Sequence, residues 1–232
     1  MVRSKEEIEM VKRMYENGLS SNEIRNIIEK TRKLKYILKK TTITQNYGKD
    51  VWRKIIDKYN SLESRLKDKF RHTTVKLIPS TYMVLREMGV DVSLYDVAIS
   101  FKNDIVVANK LCRKIYPIMP EIFLQDTETW VKRCVNWLKL PKGVEKSALK
   151  FLEENGEVLK KFSPLIAAAT CVYLQAEKYG KKMDLKEMAK TLKINKKKSF
   201  ERVISFVRNN CRMPDYSVEP FEEIEKPSLE QI

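Results

Sequence analysis

An internal repeat is the feature of this sequence that most restricts its fold. Between residues 82 and 98, six positions match the residue 91 places further along the chain in identity or chemical type. The matched pairs are Tyr82 and Tyr173, Gly89 and Gly180, Leu94 and Leu185, Asp96 and Glu187, Val97 and Met188, and Ala98 and Ala189. A repeat indicates one structural unit used twice, so we expect two similar bodies in one chain.

The pattern of apolar residues within each copy predicts helices. Six glycines and eight prolines in 232 residues leave few turns, which favours long helices over many short strands. In the second copy, Ser163 and Pro164 are suited to the start of a helix and Gly180 to its end. One helical stripe comprises Trp130, Cys134, Val135, Trp137 and Leu138. The first copy predicts helices over 51–59, 61–70, 73–88, 92–101 and 104–116. We therefore expect an all-α protein.

Composition divides the chain into five segments. A basic N-terminal segment is followed by a short polar, β-branched linker, by the two copies of the repeat, and by a proline-containing acidic tail. The predicted boundaries are 1–42, 43–49, 50–118, 119–212 and 213–232. Because the tail combines one-sided charge with three prolines, we expect it to be disordered.

The charge distribution points to a polyanionic partner. The net charge is +15, but residues 213–232 hold six acids and one lysine, so residues 1–212 carry +20. A body this basic is typical of nucleic-acid binding. No apolar run approaches the ~20 residues that cross a membrane. Four scattered cysteines and the single His72 form no metal-ligand motif, and no nucleotide-binding or metalloprotease motif occurs. We expect no cofactor, no metal and no enzymatic activity.

The sequence at the end of the second copy predicts a helix-turn-helix. Asp184 precedes "LKEMAKTL", the turn is "KIN", and "KKKSFERVISFVR" forms the second helix. The apolar residues of that second helix face inward, and its cations project outward near its N-terminal half, where a recognition helix meets DNA. The predicted DNA-binding residues here are Lys196, Lys197, Lys198, Ser199 and Arg202.

The N-terminal segment is a second helix-turn-helix candidate. Ser20 or Ser21 can cap a helix, with Glu23 completing a capping box. We expect a third helix from Thr31 to Lys40, in a unit that resembles the small trihelical DNA-binding domains of resolvases. Its predicted DNA-binding residues are Arg32, Lys33, Lys35, Lys39 and Lys40. The alternative is a basic helical hairpin that packs on the main body.

Residues 50–210 resemble the core of the transcription factor IIB and archaeal transcription factor B family. The string "FSPLIAAATCVYLQAEKYGKKMDLKEMAKTLKIN" carries the resemblance in the second copy and "STYMVLREMGVDVSLYDVA" in the first. The resemblance implies two cyclin-like five-helix repeats that bind beside a TATA box, with the TATA-binding protein and RNA polymerase as partners. The family's zinc ribbon has no counterpart, because no cysteine precedes Cys112. Phe200 stands where the family has an arginine.

These observations predict a DNA-binding transcription factor that acts on promoter double-stranded DNA. The resemblance implies a cytoplasmic, nucleoid-associated protein of archaeal, archaeal-viral or plasmid origin. Two alternatives remain open: a cyclin-type protein-interaction module, and a plasmid or viral replication or partition protein.

Overall fold

Helices are the only regular secondary structure in the described part of the chain. The computed structural model describes residues 5–66, 70, 72–102, 104–194 and 197–212, and no strand occurs among them, so the predicted all-α class is confirmed. The helices in chain order are α1 (Lys5–Glu16), α2 (Ser21–Lys40), α3 (Thr42–Gln45), α4 (Lys49–Leu66), α5 (Thr73–Glu87), α6 (Leu94–Lys102), α7 (Ile105–Ile115), α8 (Pro120–Trp137), α9 (Lys142–Leu159), α10 (Pro164–Lys178), α11 (Leu185–Thr191) and α12 (Lys197–Asn210). None of the described helices is both long enough and apolar enough to cross a bilayer.

The chain divides into two compact units, residues 1–122 and 123–232. The division falls inside α8, a few residues after the predicted boundary between the two copies. The predicted acidic tail, 213–232, lies outside the described residues.

The expected third N-terminal helix is wrong, because α2 continues without a break from Ser21 to Lys40. No glycine or proline interrupts residues 29–33, and the buried stripe of Ile24 and Ile28 continues through Leu34 and Leu38. Leu34 and Leu38 lie in one core cluster with residues of α4 and α5. Burying each leucine contributes about 2 kcal/mol. The first 42 residues are therefore part of the first unit rather than an independent trihelical domain.

The predicted linker, 43–49, is an ordered corner of the first unit. Thr41 and Thr44 are buried, and the Thr44 hydroxyl donates to the Leu38 carbonyl oxygen at 2.5 Å. The Trp52 indole N–H donates to the Thr44 carbonyl at 3.0 Å. The first bond adds a side-chain donor to a carbonyl in the last turn of α2, and the second adds one to a carbonyl of α3. The polar, β-branched composition predicted a linker, and the threonine hydroxyls close it into a tight connection between α2 and α4.

Helix α4 replaces the two helices predicted over 51–59 and 61–70. It runs from Lys49 to Leu66, since Asn60 and Ser61 lie on an exposed face and do not stop it. The predictions for 73–88, 92–101 and 104–116 agree with α5, α6 and α7 within one or two residues at each end. His72 occupies the N-cap of α5, as its sequence position suggested.

The repeat is visible in helix boundaries and turn bonds. Helices α5 and α10 each have 15 residues and start 91 residues apart. Both end in a left-handed glycine, with φ of +78° at Gly89 and +70° at Gly180. After Gly89, the Val90 N–H donates to the Leu85 carbonyl at 3.0 Å, and the equivalent bond joins Lys181 to Ala176 at 3.0 Å. The glycines recur because this turn requires a positive φ.

The order and lengths of the helices show which helix of the first copy corresponds to which helix of the second. Helices α4 and α9 both have 18 residues and directly precede α5 and α10. A pairing of 51–59 with 128–138, which covers the end of α8, is wrong because it skips a helix. The partner of α8 by order is α2. If the four-residue helix α3 is set aside, five helices correspond in order: α2 and α4–α7 in the first unit, and α8–α12 in the second.

Helix α10 supports the second unit. All residues from Ala167 to Ala176 are buried, and α10 contacts both α9 and α12. A helix that is apolar on every side needs neighbours on every side. Ser163 does occupy the N-cap with Pro164 following, but its side chain makes no capping bond. This buried helix is the support against which α12 packs, and α12 in turn contacts α11.

Candidate nucleic-acid interface

The pair α11 and α12 is held together by a small apolar core and a tight turn. The Asp184 carboxylate accepts the Lys186 N–H at 2.8 Å and starts α11. After α11, Lys193 takes a left-handed conformation with φ of +54°, and the next N–H, from Ile194, donates to the Ala189 carbonyl at 2.8 Å. The buried residues between the two helices are Met188, Ala189, Leu192, Phe200, Ile204 and Val207.

The side of α12 opposite this core is exposed and carries cations. Lys198 and Arg202 are one helical turn apart, and Ser205 and Asn209 continue the same stripe. All four are exposed, and none is acidic. Ser199 is also exposed. We call these four stripe residues the α12 face. Lys197 is the first residue of α12, and Lys196 lies outside the described residues.

Contacts on both sides mark the edges of the α12 face. Arg208 pairs with Glu177 of α10 at 2.5 Å, so this cation is neutralised within the unit. On the other side, the Phe206 ring packs edge-on against Phe162, with centroids 5.7 Å apart. The Lys161 ammonium lies 5.5 Å from the Phe206 centroid. These contacts fix the orientation of α12 about its own axis. Lys198 and Arg202 therefore stay directed outward.

The predicted cations of α2 also lie on a helix surface, in the first unit. Arg32, Lys33, Lys35, Lys39 and Lys40 are all exposed. The Lys40 ammonium lies 4.5 Å from the centroid of the exposed Tyr36 ring. Lys30, in contrast, pairs with Glu63 at 2.5 Å and lies 5.2 Å from the Tyr59 centroid. Lys30 therefore fastens α2 to α4, whereas the five predicted residues face solvent.

Sequence reasoning missed a cationic helix in the first unit. Helix α7 corresponds to α12, and its buried residues Ala108 and Cys112 match Phe200 and Ile204 at an offset of 92 residues. The stretch of sequence from Ala189 to Phe200 is thus one residue longer than the stretch from Ala98 to Ala108. At this offset Lys110 takes the place of Arg202. Arg113 and Lys114 are exposed nearby. The repeat itself was the signal that could have found these residues.

The tip of α7 differs in chemistry from the tip of α12. Ile105 and Val106 are each 60% exposed and Val107 is 38% exposed, where α12 has Lys197, Lys198 and Ser199. The Asp104 carboxylate accepts the Val106 and Val107 N–H groups at 2.8 and 3.0 Å, which fixes this apolar turn. The two corresponding helices therefore present different surfaces.

The thiols are placed as small core residues. Cys112, Cys134 and Cys171 are buried and Cys211 is half-buried, all as free thiols. Burial raises the pKa of Cys134 to about 12 and also raises the pKa of Cys171, so both stay protonated. Among the residues that the structure describes, no three metal-ligating side chains come together.

Comparison with known proteins leaves the interface to be interpreted from its own chemistry. The chain matches no protein-family model and no curated protein.

Proposed function

We propose that this chain is a double-stranded DNA-binding protein that acts in transcription at promoters. The observation that carries the proposal is the α12 face, where Lys198 and Arg202 project from the second of two helices, α11 and α12, that contact each other across a tight turn. Lysine supplies charge to phosphates, and arginine can bind a guanine edge with two hydrogen bonds. A helix of this diameter enters the major groove.

The cations of α2 and the resemblance to the transcription factor B family extend this proposal. Exposed lysines and arginines on α2 add phosphate contacts from the first unit. The equal lengths of α5 and α10 and their separation of 91 residues support a tandem repeat, which is the arrangement that the resemblance implies. We take the TATA-binding protein and RNA polymerase as the protein partners and the nucleoid as the location. Both assignments rest on the resemblance alone.

A second candidate function is a cyclin-type protein-interaction module. The apolar tip of α7 favours it, because Ile105 and Val106 expose surface that protein interfaces commonly bury. Under this alternative, the cations would serve solubility, and binding to DNA would be weak and non-selective.

Salt dependence and two variants test the DNA proposal. If six to eight cations contact phosphates, the log–log salt slope of binding should be about −5 to −7. The triple variant K196E/K197E/K198E should weaken binding to every duplex sequence. Arg202→Ala should mainly reduce the preference for the best sequence, by about 1–3 kcal/mol.

The matched control is K12E/K49E/K54E, which makes the same change in net charge on exposed lysines of the first unit. If the control weakens binding as much as the α12 triple does, only overall charge matters and the α12 face is not the site. A salt slope near zero, or full affinity in the α12 triple, contradicts the proposal.

A further inference from the structure

A tryptophan at the C-terminal end of α8 is exposed although the sequence predicted it on a buried stripe. Trp137 is 50% exposed, while Cys134 and Val135 of the same stripe are buried. The Trp130 ring meets Trp137 at a centroid distance of 6.0 Å and an interplanar angle of 67°. In an edge-to-face pair, at least one face of Trp137 is not covered by Trp130. The second unit thus holds a large aromatic surface open to solvent.

Cations neighbour this aromatic pair in the sequence, and one of them contacts it. The Arg133 guanidinium lies 5.2 Å from the Trp130 centroid. Between Glu128 and Glu145 the sequence contains four bases and no acid: Lys132, Arg133, Lys139 and Lys142. We call Trp130, Arg133, Trp137 and Lys139 the α8 platform. Its charge is complementary to a polyanion, and its rings are complementary to flat apolar groups.

Lys139 occupies a position where glycine is more stable. Its φ is +51°, in the turn that ends α8, where its N–H donates to the Asn136 carbonyl at 3.2 Å. Of the five residues with this conformation in the described chain, Gly18, Gly89 and Gly180 are glycines and Lys139 and Lys193 are lysines. A side chain that is kept despite backbone strain is expected where that side chain has a use. Lys193 adjoins the α12 face, and Lys139 adjoins Trp137.

We propose that the α8 platform binds unpaired nucleotides of a single-stranded nucleic acid. One base stacks on the open face of Trp137, and Arg133 and Lys139 contact the flanking phosphates. In a duplex the base faces are already stacked on each other, so the indole has nothing to cover. An acidic peptide would satisfy the charge but would leave the indole face without a planar partner. This site is separate from the α12 face and does not depend on the proposed function.

The test uses the full chain and a fluorescein-labelled short oligo(dT), with binding followed by anisotropy. Trp137→Ala should weaken oligo(dT) binding about 10-fold, since one base–aromatic stack contributes about 1–3 kcal/mol. Trp137→Phe keeps an aromatic face and should retain most of the affinity. Tyr15→Ala removes an aromatic side chain that is 52% exposed on α1 and should change nothing. An abasic strand of the same length should bind the wild type as weakly as oligo(dT) binds Trp137→Ala.

The same titrations with duplex DNA separate this proposal from the previous one. Trp137→Ala should leave duplex affinity unchanged, and K196E/K197E/K198E should reduce it. The platform proposal is overturned if Trp137→Ala binds oligo(dT) as tightly as the wild type does, or if the abasic strand binds the wild type as tightly as oligo(dT). If neither the wild type nor any variant binds duplex DNA, while oligo(dT) binding is intact, the duplex proposal alone is overturned.

Discussion

Replacing Lys193 by glycine should make the second unit more stable and its DNA binding weaker. Lys193 is exposed, holds φ at +54°, and lies in the turn that precedes α12. A left-handed conformation costs a residue with a Cβ atom about 1–2 kcal/mol. Glycine avoids that cost but gains about 0.4–1 kcal/mol of conformational entropy in the unfolded chain. The difference predicts a net stabilisation of about 0.5–1 kcal/mol.

The reverse substitution, from glycine to a residue with a Cβ atom, can be made at Gly180, which follows the C-terminal end of α10. Gly180 has φ of +70°, and a Cβ atom added there would meet nothing within 4 Å. Gly180→Ala therefore introduces backbone strain without a steric clash, and it should destabilise the second unit by a similar ~0.5–1 kcal/mol. The pair of variants isolates the backbone contribution, because neither removes a buried contact.

Urea unfolding followed by tryptophan fluorescence measures both changes, since Trp130 and Trp137 lie in the second unit. Binding to duplex DNA at several salt concentrations measures the functional cost. The slope for Lys193→Gly should become shallower by about 0.9 if the ammonium contacts one phosphate. A neutral or destabilised Lys193→Gly would refute the strain argument. A stabilised variant with unchanged affinity and slope would show that this lysine does not contact DNA.

Two further predictions concern the end of α12 and the thiols. Asn155→Ala should lower the free energy of unfolding by about 2 kcal/mol, because the buried amide donates to the Arg212 carbonyl at 3.2 Å and accepts the Arg212 N–H at 3.0 Å. Urea unfolding measures this loss, with the exposed Glu153→Ala as the control. An equal loss of stability in the two variants would refute the prediction. A thiol reagent at mildly alkaline pH should modify Cys211 first, because the other three thiols are buried. Mass spectrometry identifies the labelled site, Cys211→Ser should abolish the fast phase, and rapid labelling of Cys134 would contradict its raised pKa.

Part of the candidate interface follows from local sequence and part does not. The outward position of Lys198 and Arg202 was predicted, because the apolar residues of α12 recur at helical spacing and leave one side for the cations. The exposure of Trp137 was not predicted, because the same periodicity places it beside Cys134 and Val135 on one stripe. A stripe shows which residues share a face, but only the packing partners show how far along the helix that face is covered.

The sequence by itself determined the helical class, the repeat and the ends of several helices. Ser20 with Glu23, Asp184 and the glycines at 89 and 180 act on hydrogen bonds within a few residues of themselves, so their effect is readable locally. Only the tertiary structure decided where the first unit begins. Leu34 and Leu38 have the same local pattern whether α2 is separate or packed, and their burial against α4 and α5 depends on residues far along the chain.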